Sequence, residues 1–222
     1  MSCIVGNPCE CGLAYDQNIA KDRRRHAKMH TEYLSGPQIK DLQSLQFIDS
    51  IEGFPIRLVT TSTPIELRRK FAHIAMVAQR TMPGYPAGYD GTITEDDQRL
   101  YIVVNGTHAI GMLLSALDSR FWKMAWLPHG APTLEDPQPL LRRGPKIARV
   151  WVAKDFQRKG LAIRLVTVAL RHLDVEATSL GWELPFSSAG SKVVQRVSAE
   201  RFLGCCDRFT LRQYNNFNAG AP

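Results

Sequence analysis

The chain has 222 residues, 44% of them hydrophobic and 22% charged, with a net charge of +7 and a pI near 9.3. That length holds one domain of about 150–200 residues with a small appendage, and the apolar content supports a buried core over a disordered chain. No run of 18 apolar residues occurs, and the start MSCIVGNPCEC lacks a basic segment followed by a long apolar one, so neither a membrane-spanning helix nor a secretory leader is expected.

The first element is CECGLAYDQNIAKDRRRHAKMH, residues 9–30. Zinc takes four nitrogen or sulfur ligands in a tetrahedron. His26 and His30 are four apart on a segment free of proline and glycine, which puts them one turn apart on one helix face. Cys11-Gly12 supplies a knuckle, and Ser35-Gly36-Pro37 stops the helix. Cys9 completes the set, although it stands only one residue from Cys11 and Cys3 is an alternative. Residues 1–36 therefore read as a two-cysteine, two-histidine zinc finger, 37–54 as a linker, and 55–222 as the body. A lone finger reads about three base pairs, too few for useful specificity, so the function is sought in the body.

PIRLVTT, residues 55–61, has the β-branched character of a strand. From Pro64 onward, Ile65, Phe71, Ile74, Ala75 and Ala78 recur at helical spacing. His73 on this helix reads as a surface or half-buried residue. PGYPAGYDG at 83–91 is turn-forming throughout, and RLYIVVNGTHAIGMLLSAL reads as two strands joined at Asn105-Gly106. FWKMAWL continues as a third strand. The segment 128–145, with five prolines, reads as a long surface loop.

Residues 147–153 form an apolar run suited to a central strand, and Gln157-Arg158-Lys159-Gly160-Leu161-Ala162 then opens a helix. Strand, small residues and helix start are a device for holding phosphate: the first N–H groups lack partners, the dipole end is positive, and Gly160 and Ala162 lack bulk. A further strand is expected at 182–186. The basic stretches DRRRHAK (22–28), LRRK (67–70), LRRGPK (141–146) and QRK (157–159) suit a polyanionic partner, nucleic acid or a phosphate-rich ligand; a solubilising surface is the plain alternative. The five cysteines, at 3, 9, 11, 205 and 206, lie at the two ends, a poor disulfide framework that fits a reducing compartment.

The hexad QRKGLA resembles the Q/R-x-x-G-x-G/A motif of the GCN5-related N-acetyltransferases (GNATs), which grips the pyrophosphate of acetyl-coenzyme A. With the finger, the resemblance narrows to the cohesin acetyltransferases of the Eco/ESCO family. Cys11, Gly12, Tyr15, Asp22, His26 and His30 match that family's finger, and Arg149, Trp151, Val152, Arg158, Gly160, Ala162, Arg164 and Leu165 match its R-x-W-V block. ELPFSSAGSK resembles its E-x-A-F-S segment, and the similarity runs from Cys9 to about Phe209.

The resemblance implies an α/β (α+β) fold of GNAT type, with a mixed, mainly antiparallel sheet flanked by helices and a small N-terminal finger. It implies a nuclear lysine acetyltransferase using acetyl-CoA and zinc, acting on a cohesin SMC subunit in sister chromatid cohesion. Chromatin or replication proteins and a weak DNA contact are further partners it suggests; no membrane is expected. Backbone donors at Val150 and Val152 would hold the acetyl carbonyl, and Gln157 through Ala162 the pyrophosphate. Glu183 is assigned the base, with an exposed strand-edge carboxylate as the plain alternative; Ser188 and Ser187 would position a water or the lysine. Two departures stand out: C-x-C replaces C-x2-C, and Ser188 and Thr167 occupy positions that are acidic in the family. An acetyltransferase with another substrate, or a coenzyme-binding or DNA-binding module without turnover, are the competing readings.

Overall fold

The computed structural model describes residues 9–81, 93–128, 130–184 and 186–206. In chain order the elements are α1 (Ala20–Ser35), β1 (Gln46–Ile51), β2 (Phe54–Val59), α2 (Ile65–Thr81), β3 (Arg99–Asn105), β4 (His108–Trp126), β5 (Pro132–Leu134), β6 (Leu140–Val152), α3 (Leu161–Leu173), β7 (Gly181–Glu183), α4 (Ser188–Ser198) and β8 (Arg201–Cys205). The strands form one sheet in the order β1-β2-β3-β4-β6-β7-β8, with β5 on β4 and a further β4–β8 pairing. All pairings are antiparallel except β6–β7 and β7–β8. This is the mixed, mainly antiparallel sheet expected.

Side chains alternate across a strand, and the sheet is apolar on both faces. Tyr101, Val103, Ile110, Leu113, Ile147 and Val152 pack under α3 and α4 with Leu165, Val168 and Val194. Leu100, Ile102, Val104, Met112 and Trp151 pack on the opposite face against Phe71, Ile74 and Ala78 of α2. This is why β3 and β6 read as continuous apolar runs.

Three expectations are corrected. Residues 37–54 are not a free linker: they carry β1, and Glu52 and Gly53, both at positive φ, make the two-residue turn to β2. Asp49 and Glu52 then pair with Arg171 and Arg164 of α3, so this segment is part of the body. The separate strand at FWKMAWL is the second half of the 19-residue β4. The proline-rich 128–145 stretch contains β5 and the first residues of β6 among its described positions, because Pro132 and Pro145 still face β4 partners Trp126 and Leu117. The expected hairpin of β3 and β4 is present, with its turn one residue later than expected, at Gly106-Thr107 between paired Asn105 and His108. The 83–91 turn and Cys3 lie outside the described residues.

Candidate active site

The β6–β7 pairing spans only Lys146↔Gly181 and Ile147↔Trp182. Beyond it the strands part. β6 runs on to Val152 beside β4, whereas Glu183 pairs with Cys205 of β8 and the Leu184 N–H bonds to the Cys205 carbonyl at 2.9 Å. The Ala153 N–H is bonded to Ile110 of β4 at 2.9 Å. Amide direction alternates along a strand, so the N–H groups of Val152 and Val150 aim away from β4, toward the opening between β6 and β7. The two predicted carbonyl donors thus face the gap, while Ala153 is committed to the sheet.

Each parting strand leads into a helix, and α3 and α4 flank a cleft of about 550 Å³ lined by Arg158, Gly160, Ile163, Lys192, Val193, Gln195 and Arg196. Three of these are cations and none is a carboxylate. Gly160 is the N-cap of α3, at φ 76°, and no side chain caps the helix. The α3 N-terminus therefore keeps its orphan donors and its positive dipole end beside three cations, a setting that fits a pyrophosphate. Arg158 also sits at positive φ, 62°. The remaining hexad residues divide their work. Gln157 does not offer its amide nitrogen to a ligand; it bonds to the Val152 carbonyl at 2.9 Å and ties down the turn. Lys159 lies over the Phe156 ring, 5.4 Å from its centroid. Leu161 buries its side chain in the core, and Ala162 packs against it in part, so both can contribute only backbone to a ligand. Lys192 and Arg196, four apart on α4 and hence on one face, were not singled out from sequence; their spacing was the available signal.

Glu183 stands where the strands separate. Its carboxylate is 3.0 Å from Lys146 Nζ, which is also 3.0 Å from Asp118. Burial works to lower the Lys146 ammonium, and the charges of Glu183 and Asp118 outweigh it, holding the group above its ordinary value. Burial works to raise Asp118, and the Lys146 bond and charge prevail, holding it below the usual carboxylate range. Burial lowers Arg149 to about 10 against the pull of Glu183. The predicted base is therefore one member of a charge cluster spanning β4, β6 and β7, of which Asp118, Lys146 and Arg149 had no assigned role at this site. Cys205, buried beside the cluster, has its thiol pushed up by burial, which disfavours the thiolate.

Ser188, the second candidate, is exposed at the first position of α4, while Ser187 is the cap, accepting from the Gly190 N–H at 3.1 Å. The pair builds the helix start. Thr167, exposed on α3, bonds back to the Ile163 carbonyl.

The four finger residues come together: ligand atoms of Cys9, Cys11, His26 and His30 all lie within 4.8 Å of one another. Tetrahedral zinc places such atoms about 3.3–3.8 Å apart, and Cys9 Sγ is 3.3 Å from His30 Nδ1. His26 Nε2 is buried without a hydrogen-bond partner, and Tyr15 stacks on its ring at 3.8 Å. A buried orphan nitrogen on a histidine gathered with two thiols and a second imidazole fits a metal. The one-residue spacing works because Gly12, at φ 80°, returns its N–H to the Cys9 carbonyl at 2.8 Å.

The finger is seated on the body. A Cβ on Gly12 would lie 2.1 Å from the Arg80 carbonyl of α2. Glu32 meets His73 at 3.1 Å, Lys154 meets Glu10 at 3.4 Å, and Ser35 bonds to Asp155 at 3.4 Å. Lys154 and Asp155 belong to the turn that leads from β6 toward Gln157 and the start of α3.

No family model and no curated protein matches the chain. Among solved structures, the xEco2 acetyltransferase domain bound to a CoA conjugate is similar over 72% of this chain and 96% of that one, at 17% identity and a TM-score of 0.60. A second structure of the xEco2 acetyltransferase domain covers 72% and 95%, at 17% identity and a TM-score of 0.59. The chain has a GNAT fold. Of the residues expected to contact acetyl-CoA, Val150 and Val152 border the opening between β6 and β7, and Arg158 and Gly160 line the α3–α4 cleft.

Proposed function

We propose that this chain is an acetyl-CoA-dependent N-acetyltransferase that acts on a lysine of a protein, a cohesin SMC subunit, in the nucleus and in sister chromatid cohesion. The observation that carries the reading is the parting of β6 from β7, with a basic cleft and an uncapped α3 N-terminus beyond it. The CoA conjugate bound to the similar xEco2 domain supports the choice of coenzyme. The finger followed by the R-x-W-V block, in that order, supports the cohesin substrate.

Acetyl-CoA supplies the acetyl group as a thioester. Arg158, Lys192 and Arg196 bind its phosphates, with the first N–H groups of α3. The N–H groups of Val150 and Val152 hold the carbonyl oxygen and oppose the charge that develops on it. A free lysine has a pKa of about 10.4, so the acceptor must lose a proton before it attacks. Glu183, at the mouth of the opening, takes that proton, and Lys146 holds its carboxylate in place. In direct transfer the amine nitrogen bonds to the acetyl carbon, the thioester C–S bond breaks and CoA leaves as its thiolate, so no covalent enzyme intermediate is needed.

The test is acetyl transfer from labelled acetyl-CoA to the cohesin ATPase head and to the chain itself, comparing wild type with Glu183→Gln while coenzyme affinity is measured separately. Loss of transfer with unchanged coenzyme binding is expected; undiminished transfer would remove Glu183 from the reaction. The ion pairing of Glu183 with Lys146, and serine and threonine at the family's acidic positions, favour a second reading, a coenzyme-binding module without turnover. Tight coenzyme binding with no transfer by wild type would establish that one.

A further inference from the structure

The two faces of the sheet carry different charges where β6 and β7 part. Residues paired across neighbouring strands share a face, and successive residues alternate. Ile147 and Trp182 are such a pair, and both belong to the core under α3 and α4. Their neighbours Lys146 and Glu183 therefore stand on the opposite face. Lys146 pairs with Ala116, so Asp118, two residues on, stands there too. Arg149 pairs with Leu114, which packs on the α2 side, and belongs to the same face. The α3–α4 cleft, on the other side, is lined by cations and no carboxylate. This separation suits an anionic coenzyme and a cationic acceptor that approach from opposite faces.

Asp118 is fixed in place by a bulge in β4, where the register with β6 shifts between Asp118 and Arg120. One carboxylate oxygen accepts the Ser119 and Arg120 N–H groups at 2.7 and 3.2 Å, and the other meets Lys146 Nζ at 3.0 Å. The same Nζ lies 3.0 Å from Glu183, so the two facing oxygens are no farther apart than twice that distance. Arg149, buried, is a second cation whose charge couples to Glu183. Cys205, opposite Glu183 on β8, has its thiol pushed up by burial and adds no charge. Asp118 and Glu183 thus balance Lys146 and Arg149. Without Asp118, Glu183 would face two cations alone. A carboxylate so placed is a poor proton acceptor, and the surplus positive charge repels an incoming ammonium group.

We propose that Asp118 is a positioning residue for acetyl transfer: it shares Lys146 with Glu183 and so keeps Glu183 able to take the acceptor's proton. The inference rests on the reading of Glu183 as the base. Removing a negative neighbour favours an ionised carboxylate and removing a positive one disfavours it, so Asp118→Asn and Lys146→Met act on Glu183 with opposite signs. Unit charges ~6 Å apart, at an effective dielectric constant of about 40, shift a titration by about one pH unit.

The experiment is the pH profile of kcat/KM for transfer from labelled acetyl-CoA to the cohesin ATPase head, using the full zinc-loaded chain. Wild type is compared with D118N, D118E, K146M and E183Q, and coenzyme affinity is measured by calorimetry. The acid limb is the range where the rate falls as Glu183 takes up a proton. D118N should move that limb down by about one pH unit and lower the plateau about 3-fold, with coenzyme affinity unchanged. K146M should move it up by about one pH unit. D118E, which keeps the charge, should return the limb toward wild type. A merely structural loss lowers the rate and leaves the limb where it was. Transfer that is lost in E183Q while the limb stays unmoved in D118N, or moves the same way in D118N and K146M, overturns this inference alone. Transfer that survives in E183Q, or is absent in wild type, removes the assignment of the base and this inference with it.

Discussion

Gly160 separates the two tasks of the turn before α3. Its φ of 76° lies in the left-handed region, yet a Cβ there would find only Arg164 Nε, at 3.9 Å. Gly160→Ala thus meets no obstacle within the chain, and its cost is backbone conformation alone, about 1–2 kcal/mol. A domain with about 5–15 kcal/mol of stability remains folded after that loss. The new methyl group, however, stands on the cleft wall where a phosphate must approach the α3 amides. We expect coenzyme affinity to fall about 10- to 100-fold, the scale of one or two charge-assisted bonds. Gly160→Asn provides the control, because asparagine tolerates the left-handed region while adding more bulk. Urea denaturation should rank glycine above asparagine above alanine, whereas calorimetric coenzyme affinity should place asparagine no higher than alanine. If affinity instead follows stability, or alanine binds coenzyme within twofold of wild type, the argument that Gly160 clears space for phosphate fails.

Replacing Lys192 and Arg196 together with glutamine should weaken coenzyme binding at least 10-fold and flatten its salt dependence, measured by titration calorimetry at two ionic strengths. Lys146→Met leaves Asp118 and Glu183 without their cation; breaking a fully buried pair costs about 3–5 kcal/mol, and the partial exposure here reduces that to about 1–3 kcal/mol in urea unfolding. The same cluster sets a pH profile. Asp118 is held below its ordinary 3.8, so its contribution is complete above that value and is lost as pH falls through the depressed one. Lys146 is held above its ordinary 10.5, so its contribution is complete below that value and is lost as pH rises past it. Wild-type stability should therefore drop more steeply at both extremes than that of Lys146→Met. Mass spectrometry should find one zinc per chain. Its removal by a chelator should weaken coenzyme binding as well, because the finger braces the Lys154–Asp155 turn; unchanged affinity in the zinc-free chain would show the brace to be dispensable.

Much of this protein is written locally. The H-x3-H spacing on an unbroken helix, the apolar strand before QRKGLA, and the amphipathic runs of α2 and α3 are periodic features within one element, and periodicity survives in sequence. The finger, the start of α3 after Gly160 and the sheet's central strands were legible for that reason. β1 was missed because QFIDSI is short and mixed; its pairing with β2 and its ion pairs to α3 become visible only when distant residues meet. The strand starts within 128–145 were masked by prolines that an antiparallel partner tolerates.

The charge cluster lay beyond any local signal. Asp118, Lys146 and Glu183 belong to three strands, and only the register that sets Asp118 near Gly144, and Lys146 against Gly181, brings them within 3.0 Å. Gln157 turned from a ligand contact into a clamp for the same reason, since its partner, the Val152 carbonyl, is freed only where β6 leaves β7. Sequence by itself determined which residue types stand at the site and which elements carry them. The tertiary structure alone decided which of them touch, because pairing register and the parting of two strands are properties of segments far apart in the chain.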